Sequence, residues 1–452
     1  MMLSGMRLPR HALATTLAAL VLPAGAWAAA PWSTPTTIPG ATGAPTQSVF
    51  TRAGQGVVLS PQAREPGLGP TQLARVTPDG RVTSTQSLSF VGSFLATYGG
   101  DRIVVAGRTL ATSGPHAGTI DDSSSVVTRL GTPDALGPAR TIAGTRGRQL
   151  YALASNRHGL MALVTGTART RTLLIHRPGS STFAVKLRIG VSTRARGATV
   201  AVGDKGDVLV VYEDAHEVRA RHIGRRGAIG AVHRLGRGVQ SDLQALVNDD
   251  GRLEVAWKSQ RVNEGEAATP AIVSFVTAAP GHGFGAARKI ATVGRMGAGR
   301  YVAPPGVRLL GAGDDALLAY TGFDGSNYTT EAVQVTGGRL GQAQRLSPAG
   351  IDAVLGDAAV GANGRQIVTW RSGVAGADPD VLPGGRPAHT PVLANVRGAG
   401  GGAFGSAEAV SPPDADVPYP PSAAIDPVSG GATAAYGTLT PAVVQIASRP
   451  AP

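Results

Sequence analysis

Phe284-Gly285-Ala286-Ala287-Arg288-Lys289-Ile290 sets out a pattern of apolar, Gly, any residue, small, two polar, apolar, and that pattern returns along the whole chain. The same spacing joins Leu136-Gly137 to Ile142, Ile229-Gly230 to Leu235, Leu340-Gly341 to Leu346 and Phe404-Gly405 to Val410. Looser copies without the glycine run from Trp32 to Ile38, Val82 to Leu88 and Phe183 to Ile189, which makes eight in all. Between copies lies a turn residue followed six positions later by an aromatic: Gly206 and Tyr212, Gly251 and Trp257, Asp314 and Tyr320, Gly364 and Trp370, Gly430 and Tyr436. The residues between them are aliphatic and β-branched, as in Val208-Leu209-Val210-Val211, and read as strands buried on both faces. Shorter runs of small apolar residues precede each turn, among them Val200-Ala201-Val202 and Ala358-Ala359-Val360, and suit a crowded innermost strand.

The repeating unit is therefore strand a (small apolar), a Gly/Asp turn, strand b (ending in the aromatic), a variable loop, strand c, a glycine turn, and strand d (the opening pattern). In the clearest copy these fall at 198–202, 207–212, 217–223 and 229–235. Copies of strand d begin 46 to 64 residues apart, the period of four-stranded propeller blades and not of a helical solenoid. The fold class is all-β, an eight-bladed β-propeller of antiparallel blades, or seven-bladed if one weak N-terminal unit is not a blade of its own. After Val410 there is room for strands a, b and c near 422–426, 431–436 and 442–447, but for no strand d. The segment 32–38 is a strand d with nothing before it. Pairing it with the C-terminal blade closes the ring and removes the free sheet edges.

Arg7 and Arg10, the apolar run from Ala12 to Leu22 and Ala26-Trp27-Ala28 fit a secretory signal peptide at 1–28, leaving 29–452 as one propeller domain. The expected location is secreted, extracellular or periplasmic. No other stretch has the 18 or so unbroken apolar residues of a membrane helix, so no transmembrane anchor is expected. The absence of cysteine excludes disulfides and thiolate metal sites. A balance of 42 basic to 29 acidic residues gives +13, or +11 without the leader, and only four of the basic residues are lysines. Together with abundant Ala, Gly and Pro, this looks like the coding bias of a high-GC genome more than selection for a polyanion. Export argues against a nucleic-acid partner, whereas anionic envelope polymers are compatible with the charge.

Strand alternation puts the a–b and c–d turns on one rim and the b–c and d–a loops on the other. The long insertions 108–125, 258–270, 371–391, 291–306 and 411–421 all belong to the second rim, and elaborated loops on one face of an array mark a binding side. On that rim Arg295, Arg300, Tyr301, Arg386, His389 and Tyr419 are candidate contacts for an anionic or sugar ligand. Glu264 with Glu266 are candidate paired carboxylates, though loop charges of this kind are commonly just solvated. Asp121 with Asp122, Asp378 with Asp380, and Asp414 with Asp416 have no EF-hand or nonapeptide calcium spacing and read as turn formers. His116 lacks a partner motif, and Arg219, Arg221, Arg225 and Arg226 suit a solvated outer edge. The five aromatics held in one register, Tyr212, Trp257, Tyr320, Trp370 and Tyr436, read as core packing and not as a stacking platform.

In style and repeat shape the chain resembles uncharacterised secreted β-propeller proteins of high-GC bacteria across 32–449, a resemblance that implies the fold and no activity. Asp boxes of sialidase-like glycosidases are not matched, since Asn248-Asp249-Asp250-Gly251 lacks the serine and the tryptophan spacing. Ala424 to Gly430 partly matches the blade motif of pyrroloquinoline-quinone dehydrogenases, once, with Tyr436 two residues late. There is no Gly-x-Ser-x-Gly, His-Glu-x-x-His or phosphate loop. No cofactor or metal is expected. The function this supports is a secreted non-catalytic binding or scaffolding propeller, expected as a monomer, that uses the rim of long b–c and d–a loops to contact a polysaccharide, peptide or envelope protein. The alternative is a secreted carbohydrate-active enzyme, sialidase-like or lyase-like, whose acidic side chains meet over the central channel.

Overall fold

A computed structural model describes residues 31–43, 45–62, 69–111, 119–193, 195, 197–237, 242–260, 270–294, 306–372 and 389–451. These residues form eight antiparallel sheets, and in seven of them the strands follow chain order from the innermost strand a outward. The inner strands are Gln47–Phe50, Phe90–Tyr98, Gln149–Ser155, Ala198–Val202, Asp242–Val247, Val307–Ala312, Ala353–Val360 and Ser422–Ile425, in blades 1 to 8. Each touches the inner strand of the blade before it and of the blade after it, and the last returns to the first. The molecule is an eight-bladed β-propeller.

Blade 8 departs from chain order. Its outermost strand is Thr36–Ile38, set beside Ala442–Arg449 with Thr36 opposite Ile446 and Ile38 opposite Val444. The join continues beyond the ladder: the Ser33 amide donates to the Ser448 carbonyl at 2.7 Å, and the Ser448 amide donates to Ser33 Oγ at 3.0 Å. Ile38 is fully buried and packs with Ile446 and Val444 of its own blade and with Val58 and Ala74 of blade 1. The N-terminal strand thus completes the blade that the C-terminal strands begin.

The recurring Gly of strand d has a backbone function. The amides of Gly137, Gly285, Gly341 and Gly405 each donate to a strand c carbonyl, of Leu130, Thr277, Gln334 and Val396, at 2.8 to 3.1 Å. A methyl group at Gly137 or Gly341 would stand 3.0 or 3.2 Å from that oxygen, and one at Gly230 would stand 3.1 Å from the His222 carbonyl, so at these three positions the close approach favours glycine. The strand then bows out and rejoins at the closing apolar residue, where Ile142, Leu346 and Val410 donate to Val126, Thr330 and Val392. For this reason the regular outer ladder is only two residues long in places, at Arg140–Thr141 and Glu408–Ala409. Side chains of strand c seal the bow, with Arg129 donating to the Gly137 carbonyl, Arg221 to Gly230 and Asn395 to Gly405.

Strands b are buried along almost their whole length, and burial of their aliphatic side chains contributes apolar stabilisation. Tyr212, Trp257, Tyr320, Trp370 and Tyr436 are all buried. Tyr212, Trp257, Tyr320 and Tyr436 lie in clusters shared with the preceding blade, Trp257 for instance with Leu209, Val211 and Leu235 of blade 4. Gly236 leaves room for that indole, since a Cβ there would come within 2.9 Å of Trp257. Polar links also cross between blades. Asp242 accepts from the Val307 amide at 3.1 Å, Asp357 accepts from the Ala423 amide and pairs with Arg308 at 2.8 Å, and Ser48 shares a hydrogen bond with Ser422 at 2.6 Å.

Glu254 is the anomaly of this layer. It sits in strand b of blade 5 with no exposed surface, neither carboxylate oxygen has a hydrogen-bond partner, and burial pushes its pKa up to about 7. The unfolded carboxyl titrates near 4.5, so between these values the folded protein holds a proton that the unfolded chain releases. Stability therefore falls as pH rises through that window, by up to about 3 kcal/mol from this group. Glu254→Gln is expected to remove the fall and to make the protein more stable than the wild type at pH 8. Denaturant unfolding at pH 5 and pH 8 checks this, and an unchanged pH dependence in the variant would refute it.

Candidate functional site

The a–b turns are built alike. In five of them the first turn residue, Thr51, Asn156, Gly203, Asn248 or Gly361, donates its amide to the carbonyl four positions on and accepts the amide three positions on. That second donor belongs to Gly54, Gly159, Gly206, Gly251 and Gly364, all with φ between 78° and 94°, a backbone that only glycine adopts without strain. The residue two before each of these glycines follows the first turn residue directly. In blades 1, 3, 4 and 5 these residues are Arg52, Arg157, Asp204 and Asp249, and together with Pro427 of the longer blade 8 turn they surround a cavity of about 330 Å³. Phe50, Tyr98, Val202 and Val247 supply its apolar wall. The cavity is the channel mouth on the short-turn rim, opposite the rim of long insertions.

Neighbouring turns are fastened together. Asn156 donates through Nδ2 to the Gly203 carbonyl at 2.9 Å, and its Oδ1 accepts from the His158 and Leu160 amides at 3.0 Å. The Asp249 amide reaches the Gly313 carbonyl at 3.2 Å, and the Ala53 amide donates to Asp101 at 2.8 Å. Arg157 pairs with Asp204 at 2.9 Å across the blade 3 to blade 4 boundary. The surrounding turns partly desolvate Asp249 and raise its pKa. The charges of Asp204 and Asp314 and a side-chain hydrogen bond with Asp204 act in the same direction, against the opposing pull of Arg157. The mouth therefore combines a guanidinium (Arg52) that has no carboxylate partner among the described residues, an ion pair, and a carboxyl that holds its proton more tightly than usual. It offers fixed hydrogen-bond donors and acceptors of both signs over an apolar wall, in a volume that suits a small polar ligand or the end of a chain.

The expected residues of the other rim are only partly in view. Arg295, Arg300, Tyr301 and Arg386, and with them His116, Glu264, Glu266, Asp378 and Asp380, lie outside the described residues. His389 is exposed and its Nδ1 lies 2.9 Å from the Asp414 carbonyl, while Tyr419 is half-buried. Their segments run side by side because Thr390 forms a parallel bridge with Asp416 and exchanges hydrogen bonds with Val417, its hydroxyl donating at 3.0 Å and accepting at 2.8 Å. Buried Arg371 secures the same place by donating to the Val417 and Pro418 carbonyls, and burial lowers its pKa to about 10. Among the described residues, no group of three or more His, Cys, Asp or Glu is placed to hold a metal ion. The four arginines expected at an outer edge separate in role: Arg219 pairs with Asp214 at 2.6 Å and with Glu217 at 2.8 Å, Arg221 seals the strand d bow, and Arg225 and Arg226 stay exposed.

The residues lining the mouth did not stand out in the sequence. The signal for them was the position two before each turn glycine, which holds Arg, Arg, Asp, Asp and Ala in the five turns and so shares no chemistry that a repeat search would detect.

Fold and site together define the class: an eight-bladed β-propeller with a polar channel mouth assembled from its a–b turns. No protein family matches the sequence, and no curated protein matches it. Among solved structures the chain is similar to the Dos1 propeller, at 7% identity over 93% of this chain and 95% of that one, with a TM-score of 0.51. It is also similar to a fungal alcohol oxidase of the AA5 family in complex with copper (11% identity, 94% and 76% covered, TM-score 0.44). A third likeness is to an ulvan lyase of polysaccharide lyase family PL25 (10% identity, 77% and 92% covered, TM-score 0.43). The likeness to the Dos1 propeller carries the fold and none of the chemistry, and the other two carry neither. No helix of the described residues is long and apolar enough to cross a membrane.

Proposed function

We propose that this chain is an exported, non-catalytic binding propeller that holds a polar envelope polymer, a polysaccharide end or a peptide, at the short-turn channel mouth. The observation that carries the reading is the convergence of Arg52, Arg157, Asp204 and Asp249 from four blades on one cavity. A catalytic pair would need both of its carboxyl groups free to act on substrate or water. Glycoside hydrolysis requires carboxyl groups roughly 5 Å or more apart with room for sugar or water between them. The Asp204 carboxylate is instead occupied by Arg157 at 2.9 Å, and its charge raises the pKa of Asp249. Export rests on the leader-like 1–28, which lies outside the described residues, and N-terminal sequencing of the protein recovered from the medium or periplasm tests it. Binding is tested by titrating a panel of neutral and acidic oligosaccharides and envelope peptides against the wild type and Arg52→Ala/Asp249→Asn. The expected result is a ligand whose affinity drops roughly tenfold, about 1.4 kcal/mol, in the variant. Equal affinity in both would remove the mouth from the reading.

The second reading, a carbohydrate-active enzyme, is favoured by the raised pKa of Asp249, which burial and the neighbouring carboxylates shift in the direction a general acid needs. Mass spectrometry of the same panel after long incubation separates the two. New products that disappear with Asp249→Asn support the enzyme.

A further inference from the structure

A second depression runs outward from the channel mouth along the boundary of blades 3 and 4, sharing Asn156 and Asp204 with it, and encloses about 250 Å³. Five basic side chains reach it from five different segments. His158 and Lys205 come from the a–b turns of blades 3 and 4, Arg177 and Arg225 from their c–d turns, and Lys186 from strand d of blade 3. Asp204, its one carboxylate, is taken by Arg157 at 2.9 Å. Among the described residues Arg177, Lys186, Lys205 and Arg225 pair with no acidic side chain. Elsewhere on the same rim turn arginines do: Arg81 with Asp79 at 2.8 Å, and Arg252 with Asp250 at 2.7 Å.

The cations also stand close together. A methyl group built on Gly227 would lie 3.1 Å from the Lys186 ammonium and 3.8 Å from an Arg177 guanidinium nitrogen, so the two charges are within about 7 Å of each other. Arg177, Lys205 and Arg225 are exposed at the groove, and Lys186 is half-buried beside them. The floor is aliphatic, from Leu160, Ile175, Val208 and Ile223, and no Phe, Tyr or Trp lines it. Recognition here is by charge at several points along a chain, with no platform on which a nucleobase would stack.

We propose that this groove binds an acidic oligosaccharide, its successive carboxylate or sulfate groups paired by Arg177, Lys186, Lys205 and Arg225, with one end of the chain directed to the channel mouth. This rests on the binding reading above and names the ligand class. The guanidinium forks suit the planar carboxylate and the sulfate edge, and the two lysines supply point charges.

The test is calorimetric titration of a hexauronate, a sulfated hexasaccharide, a neutral hexasaccharide and a single-stranded oligonucleotide of equal charge. They are titrated against the wild type, Arg177→Gln/Lys186→Gln/Arg225→Gln, Arg177→Lys/Arg225→Lys, and the mouth variant Arg52→Ala/Asp249→Asn. The three groove positions lie at turns and an outer strand, and an unchanged unfolding midpoint certifies the glutamine variant as folded. One or both acidic hexasaccharides are expected to bind, more weakly as salt rises, and to lose roughly tenfold or more in affinity with the glutamine variant but far less with the lysine variant. The two acidic ligands separate carboxylate from sulfate recognition. Affinity unchanged in the glutamine variant, equal affinity for the neutral sugar, or tighter binding of the oligonucleotide would overturn the proposal. Loss confined to the mouth variant leaves the channel-mouth reading intact and overturns the groove. Loss confined to the glutamine variant leaves the groove and removes the mouth.

Discussion

Removal of residues 29–40 is expected to lower the unfolding midpoint sharply and to make the protein self-associate. The deletion strips Thr36–Ile38 from blade 8 and leaves Ala442–Arg449, an eight-residue strand, as a free edge. It also takes away the Ser33 bonds to Ser448 and uncovers Val444 and Ile446, both fully buried in the intact ring. An unpaired edge of that length is a template for another chain. The milder Ile38→Ala tests the apolar part alone and is expected to cost about 2–5 kcal/mol, the range for emptying a well-packed aliphatic site. Denaturant unfolding and size-exclusion chromatography read both effects. A synthetic peptide spanning 31–41, added to the truncated protein, should restore the midpoint by re-supplying the strand. A truncated protein that unfolds and elutes like the full chain would refute the closure as a source of stability.

Trp370→Ala is expected to destabilise by about 3–5 kcal/mol, at the upper end for single substitutions. Trp370 is fully buried, and its Nε1 donates to Asn395 Oδ1 at 2.8 Å. The same amide donates through Nδ2 to Gly405 at 2.9 Å and to Leu346 of blade 6 at 3.3 Å, so one indole anchors a chain of bonds through strands b, c and d of blade 7 and into its neighbour. Trp370→Phe keeps most of the volume but strands Asn395 Oδ1 in a buried setting, for which about 1–3 kcal/mol is expected. Asn395→Leu combined with Trp370→Phe should therefore lose less than the two single changes added together, because the bond between Trp370 and Asn395 is lost in each of them and is counted once in the pair. Tyr419→Ala, at a half-buried loop position on the far rim, should stay within about 0.5 kcal/mol. Equal losses at 370 and 419 would refute the assignment of the repeated aromatic to the core.

The spacing of Phe284 to Ile290 and its relatives was enough to place every strand d, the blade count and the join at Ile38, because a repeat reports positions that each unit must fill identically. The buried role of Trp257, Trp370 and the three tyrosines was legible for the same reason. What the glycine in that pattern does was not, since its partner is a carbonyl on strand c and backbone oxygens leave no mark in the side-chain pattern. Arg52, Arg157, Asp204 and Asp249 stayed hidden for the opposite reason: their meeting depends on ring closure across about 200 residues of sequence, and each blade supplies a different side chain. The gathering of His158, Arg177, Lys186, Lys205 and Arg225 was likewise invisible, although Arg225 was noticed alone, because it needs two adjacent blades. The long insertions drew attention to the far rim, where only His389 and Tyr419 of the six candidate contacts fall within the described residues.

The seam between Ser33 and Ser448 also decides how the molecule hangs. The first and last described residues lie near each other on one blade, so a tether or fusion partner attached at either end pulls on that blade alone. Blades 3 and 4, well around the circle from it, would stay unshadowed and free to swing toward whatever surface the tether is fixed to.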